Sequence, residues 1–289
     1  MSGTSPRHHR LSNRLHSALL LLGMAVLFAA CGWAVAGVEG ILWGMILGGV
    51  SLGFGARIPP HLMLRLSGAV PLSRHEAPDV YRVFDGLVAR AGLEKPPALF
   101  KLSSRHPVAF SVGHREDAGI TLSTSLLRAL SLREITGVLA HELSHVRHND
   151  MWIMGLASVV NRLTRTMSFL GVLLLVLNLP LIMTGTPQVP WLLVMLLIFA
   201  PTIASLLQLA LSRTREFDAD LDAAALTGDP MGLASALETL ERSEGRAWEN
   251  LVPRPPRQPE PSLLRTHPKT GERIRRLRAL SEAGPVHGP

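Results

Sequence analysis

The sequence predicts a mainly α membrane protein, with four transmembrane helices joined to an α+β domain that contains a small β-sheet. Three observations carry that expectation. Of the 289 residues, 47% are hydrophobic and only 18% charged, and the imbalance is concentrated in long charge-free runs. The stretch His141-Glu142-Leu143-Ser144-His145 places two imidazoles four residues apart in a helical context. Ahead of it lie three short runs with strand composition.

Residues 17–38 are 22 positions without a charge, residues 40–56 are 17, and residues 166–212 are 47, divided by Pro180, Pro187 and Pro190. A helix needs about 20 mostly apolar residues to cross a bilayer. The last run is therefore long enough for two crossings with a proline-rich turn between them. The second run is short and carries Gly44, Gly48, Gly49, Gly53 and Gly55, which suits close packing on the first helix. A buried soluble helix is its alternative.

Basic residues set the expected orientation. Arg7, Arg10 and Arg14 precede the first run, Arg57 and Arg65 follow the second, Arg147, Arg162 and Arg165 precede the third, and Arg213 and Arg215 follow the last. The two intervening turns hold no Lys or Arg, only Glu39. All positive flanks thus fall on one side, which the positive-inside rule assigns to the cytoplasm, together with the histidine pair. This accounts for the net charge of +7 without nucleic acid, for which the chain has no aromatic-basic interleaving. The expected location is the cytoplasmic (inner) membrane, multi-pass. Cys31 is the single cysteine, which excludes an intrachain disulfide and a cysteine-based metal site. It reads as a small residue packed in a membrane helix rather than as a modified lipoprotein cysteine.

Residues 59–71 read as a linker and 79–91 as a helix closed by Gly92. Strands are expected at 98–102, 108–112 and 120–122, with a turn around 117–119. Ser131 to Glu134 forms a capping-box pattern, and Ile135, Val138, Leu139 and Val146 supply an apolar stripe behind the histidines. Further helices are expected at 215–226, 230–242 and 268–280, separated by a proline-rich loop at 252–261. The chain divides accordingly into 1–58 (arm and first two crossings), 59–165 (first catalytic part), 166–212 (last two crossings) and 213–289 (second catalytic part).

Positions i and i+4 share a helix face, so His141 and His145 can reach one Zn²⁺, with Glu142 placed to take a proton from bound water. A third protein ligand is required. Glu216 and Asp220, also four apart, can supply one carboxylate to the metal and one to a ligand imidazole. Spacing alone does not choose Glu216 over Asp218, Asp222 or Glu238.

Together, Leu139 to His145 with Asp150 just after, Ser212 to Asp220, and Thr266-His267-Pro268 followed by Arg273-Ile274 resemble the HtpX-like family of membrane-bound zinc metalloproteases, relatives of the CAAX prenyl proteases. The resemblance spans nearly the whole chain. It implies a zincin-like (gluzincin) catalytic domain that binds one Zn²⁺ through His141, His145 and Glu216. It further implies Glu142 as base, Asp220 behind a ligand, and His267 and Arg273 facing the cleft to steady the oxyanion or substrate. An extended polypeptide would add to the sheet edge at Ala109, Phe110, Ser111 and Val112. The family usually has Asn-Ala-Phe where this chain has Val108-Ala109-Phe110, so a side-chain amide is missing there. The expected partners are polypeptide substrates, membrane proteins above all, and the lipid bilayer; oligomeric state is left open. The expected activity is endoproteolysis of misfolded or damaged membrane proteins at the cytoplasmic face. Its alternatives are a narrow regulatory or prenyl-protein-type protease and a non-catalytic membrane scaffold.

Overall fold

Three helical stretches, Leu15–Ser51, Asp150–Leu177 and Trp191–Thr227, are long and apolar enough to cross a membrane. The computed structural model describes residues 6–56, 60–184, 191–249 and 270–282. The chain forms two compact units. One comprises Leu11–Arg57 and Ile153–Ser212; the other contains Ile58–Trp152 and the chain from Arg213 onward.

The first unit is built from α1 (Pro6–Ala56) and most of α6 (Asp150–Met183) and α7 (Trp191–Thr227). Helix α1 doubles back on itself. Ala36 and Gly37 leave helical backbone, Gly37 at φ 60° and ψ −141°, a conformation that the absence of a Cβ permits. On either side the chain closes up. Gly40 packs directly on the Gly32 carbonyl, and a Cβ on Gly44 would stand 3.0 Å from the Phe28 ring. In an unbroken helix residues 28 and 44 would be about 24 Å apart at 1.5 Å per residue. The small residues let two backbones meet, which is how membrane helices gain packing without a hydrophobic drive between them. Leu19, Trp33, Trp43, Phe169 and Leu192 point outward, a surface suited to lipid rather than water. Inside, Asn161 Nδ2 donates to Gln208 Oε1 (2.7 Å), Gln208 Nε2 to Ser158 Oγ (3.1 Å) and Ser205 Oγ to Asn161 Oδ1 (3.2 Å). This polar seam ties α6 to α7.

The sequence divides 166–226 into two crossings and a separate soluble helix, whereas α7 runs unbroken from Trp191 to Thr227. Nothing between Ser212 and Arg215 breaks a helix, and Pro201 lies inside the helix without ending it. Likewise α6 begins at Asp150, well before the charge-free run. The proposed loop at 252–261 lies outside the described residues.

In the second unit the expected linker at 59–71 contains α2 (Pro60–Leu66) and β1 (Ala69–Pro71). There follow α3 (Pro78–Ala91), β2 (Ala98–Leu102), β3 (Ala109–His114), β4 (Asp117–Ser123), α4 (Thr124–Ala129), α5 (Leu132–His148), α8 (Pro230–Glu249) and α9 (Thr270–Glu282). Strand β4 starts where a turn was expected. The order is β1-β2-β4-β3, with β2 and β4 parallel and the other pairs antiparallel. Strand β3 is therefore an end strand, and it lies against α5.

Helix α5 occupies the centre of this unit. Its apolar residues Ile135, Val138, Leu139, Leu143 and Val146 join Phe84 and Leu87 of α3, Ile120 and Leu122 of β4, and Leu233 of α8 in one core. Ser131 caps its start, accepting from the Glu134 amide, while the Glu134 carboxylate accepts from the Ser131 amide (2.8 Å). The same carboxylate accepts from Ser235 (2.6 Å) and Thr239 (3.2 Å) of α8. One capping residue thus also fastens α5 to its neighbour.

Candidate metal centre

Both histidines of the pair lie on the inner face of α5, His141 buried and His145 nearly so. Glu216 comes from α7, about 70 residues later in sequence, and is buried beside them. The Nε2 atoms of His141 and His145 are 3.1 Å apart, and each lies 3.5 Å and 3.6 Å respectively from the Glu216 carboxylate. In a tetrahedral zinc site with bonds of about 2.0–2.1 Å, neighbouring donors are separated by about 3.3–3.4 Å. The triangle therefore has the size of one face of such a site. Two imidazoles and a carboxylate are donors that suit a borderline-soft divalent ion.

The remaining ring nitrogens are also occupied. His141 Nδ1 is 3.0 Å from Asp220 Oδ1, and His145 Nδ1 is 2.8 Å from Asp150 Oδ2. A carboxylate behind each Nδ1 fixes the proton there and leaves Nε2 free to bind metal. Asp150 gets there because Asn149 ends α5 in the left-handed conformation (φ 57°), which turns the next residue back towards the helix. Arg215 pairs with Asp150 and is itself buried. In the sequence Asp150 is a motif residue without a role, and Arg215 reads as a membrane-flanking charge. The signal for Asp150 is the five-residue interval from His145 to a carboxylate.

Arg273 of α9 is buried, donating from Nε to Asp220 Oδ2 (2.8 Å) and from Nη2 to Asp220 Oδ1 (2.6 Å), with Nη1 3.0 Å from Glu216. Burial opposes its charge, but Asp220, Glu216 and Glu142 push its pKa above the ordinary arginine value. His141 meets the same competition. Burial and Arg273 disfavour its protonation, yet the carboxylates of Asp220 and Glu216 outweigh them and raise its pKa to about 9. Glu142, next to His141, is buried as well.

The other acids that spacing left open are engaged elsewhere. Asp218 lies 3.7 Å from Arg215, Asp222 is 3.5 Å from both Arg147 and His148, and Glu238 pairs with Arg278. Ala109, Phe110, Ser111 and Val112 all lie in β3, each half-buried, and the Ser111 hydroxyl contacts Met151 Sδ at 3.6 Å. Val108 precedes the strand and is held at both backbone groups by Ser123, each bond 2.9 Å long. His267 lies outside the described residues.

Residues 74–281 match the model of peptidase family M48. A protease HtpX homolog from Methylibium petroleiphilum is 31% identical over 93% of this chain and 98% of its own length. Another from Burkholderia ambifaria is 30% identical over 94% and 98%. Among solved structures, S. mikatae Ste24p superposes with a TM-score of 0.50 at 20% identity, covering 93% of this chain and 66% of that one. The fold is thus shared with a longer chain. On the extent of the family match and the full-length similarity to HtpX homologs, this chain belongs to peptidase family M48.

Proposed function

We propose that the protein is a membrane-anchored zinc endopeptidase that cleaves misfolded or damaged membrane proteins at the cytoplasmic face. The observation that carries this reading is the His141–His145–Glu216 triangle with a carboxylate behind each imidazole. When bound, Zn²⁺ polarises the scissile carbonyl and lowers the pKa of the attacking water towards about 7. Glu142 takes the proton of that water and passes it to the leaving amine. Asp220 and Asp150 keep the imidazoles in the tautomer that presents Nε2. Arg273 holds the carboxylates of Asp220 and Glu216 in place and, with His267, favours the oxyanion of the tetrahedral intermediate. An extended substrate segment pairs with the free edge of β3 along Ala109 to Val112, where main-chain bonds impose little sequence preference.

Four crossings are part of the proposal. The fold-back at Ala36 and Gly37 supports two within α1, and the arginine flanks support a cytoplasmic position for both catalytic segments. Substrates at that surface would be exposed loops of membrane proteins, which fits quality control and the naming of the HtpX relatives as proteases.

The test is cleavage of casein and of an unfolded membrane protein by detergent-purified protein supplied with zinc. Wild type should cleave both in a chelator-sensitive way. Glu142→Gln should keep its zinc and lose at least a hundredfold in rate, given the usual weight of a general base. Cleavage by the variant at the wild-type rate would refute the assignment.

A further inference from the structure

Beside Pro201 in the first unit is a shallow groove of about 330 Å³, lined by Arg165, Pro201, Thr202, Ser205 and Leu206. Its chemistry is unusual for a helix surface facing lipid. Arg165 makes no ion pair or hydrogen bond with any described residue. No carboxylate occurs in residues 153–212, so this stretch offers no partner of its own. Arg162, one turn earlier, is also exposed.

Thr202 has no hydrogen-bond partner among the described residues. The carbonyl four residues back, that of Ile198, accepts from Ser168 Oγ at 3.3 Å. Ser205 is committed to Asn161. Two donors, one of them cationic, therefore line one groove without an acceptor among the described residues. Leu206 lies about 10 Å along α7 before Arg213, at 1.5 Å per residue, so apolar helix continues on both sides. A donor left unmade in such surroundings is costly, and an arginine with no carboxylate beside it there draws an anion.

We propose that this groove binds the headgroup phosphate of an anionic phospholipid. Arg165 and Thr202 donate to the phosphate oxygens, while Pro201 and Leu206 contact the glycerol and upper acyl chain. A lipid is favoured over a soluble anion because the groove opens between apolar helices whose outer faces carry large hydrophobic side chains such as Phe169 and Phe199. The inference depends on the membrane-spanning character of α6 and α7 and not on the protease reading.

The test uses full-length protein in a neutral detergent, titrated with phosphatidylglycerol in mixed micelles and read by native mass spectrometry as lipid retained per chain. Wild type should retain one phosphatidylglycerol molecule, in preference to phosphatidylcholine. Arg165→Gln should weaken retention roughly tenfold or more, as expected for loss of a charge-assisted hydrogen bond. Thr202→Val should weaken it less, and Arg128→Gln, on α4 of the other unit, should leave it unchanged. Should Arg165→Gln fail to fold, Thr202→Val decides, and wild-type retention by that variant overturns the proposal. Equal retention of phosphatidylcholine, displacement by millimolar inorganic phosphate, or equal weakening in Arg128→Gln would each overturn it too. Zinc content and casein cleavage measured on the same samples report separately on the protease reading.

Discussion

Replacing Asp150 with Asn tests whether the carboxylates behind the imidazoles matter to metal binding. Asp150 is buried, with one oxygen 2.8 Å from His145 Nδ1 and the other accepting from Arg215. Asparagine has one acceptor and one donor end, so either His145 or Arg215 must face an amide NH₂, and the charge that favours Nδ1–H is gone. Loss of such a partner typically weakens metal binding about 10- to 100-fold, or about 1.4–2.8 kcal/mol. Stability suffers separately. Arg215 is left buried without its main counter-charge, a change that costs about 3–5 kcal/mol when a buried pair is broken, softened here by Asp218 at 3.7 Å. The two effects separate in Asp150→Asn combined with Arg215→Met, which removes the stranded charge. The double variant should regain most of the lost stability but none of the lost affinity. Zinc competition against a chelator and thermal denaturation of the zinc-free proteins measure the two quantities. Wild-type zinc affinity in Asp150→Asn, or its recovery in the double variant, would refute the reasoning.

The raised pKa of His141, about 9 against an ordinary 6.5, makes zinc-free protein pH-sensitive in a defined direction. Its contribution, on the order of 3 kcal/mol, is complete below pH 6.5 and is lost as pH rises through 9; denaturation curves between pH 6 and 10 should show that fall. Zinc must displace the same proton, so its affinity should rise up to about tenfold per pH unit from 7 to 9. Gly137→Ala should destabilise by roughly 1–3 kcal/mol, because the added methyl would stand 2.8 Å from the Leu233 amide nitrogen; an unchanged melting temperature would show that α5 and α8 can move apart freely. Glu39→Cys should react with a membrane-impermeant thiol reagent from outside intact cells if α1 crosses twice, and protection equal to that of a cytoplasmic cysteine would remove the four-crossing arrangement. Cys31 is fully buried and serves as the unreactive background.

Much of the architecture could be read from local pattern, for identifiable reasons. The capping box at Ser131 and Glu134 and the apolar stripe of α5 are local signals, and the observed helix runs from Leu132 to His148. Gly92 closes α3 in the left-handed conformation its position suggested. Strand β1 and helix α2 were hidden because they are short and bounded by Pro59, Pro60 and Pro71, residues that also mark loops. The continuity of α7 was obscured by Arg213 and Arg215, whose charge suggests the end of an apolar helix. Arg215 is instead satisfied inside the protein by Asp150, a tertiary pairing that no local window contains.

The same distinction applies to the site. The i,i+4 spacing of His141 and His145 is local, and it suffices to point to a metal. Choosing Glu216 among four acids needs the packing of α7 on α5, since Asp218, Asp222 and Glu238 differ from it only in where the fold sends them. Asp150 needs the left-handed turn at Asn149.

Metal analysis of Glu216→Gln beside wild type tests the central claim most directly. After dialysis against a weak chelator, wild type should keep one zinc per chain and Glu216→Gln should lose most of it, while both retain the helical signal of the fold. One full equivalent of zinc in Glu216→Gln would contradict the three-ligand centre on which the account rests.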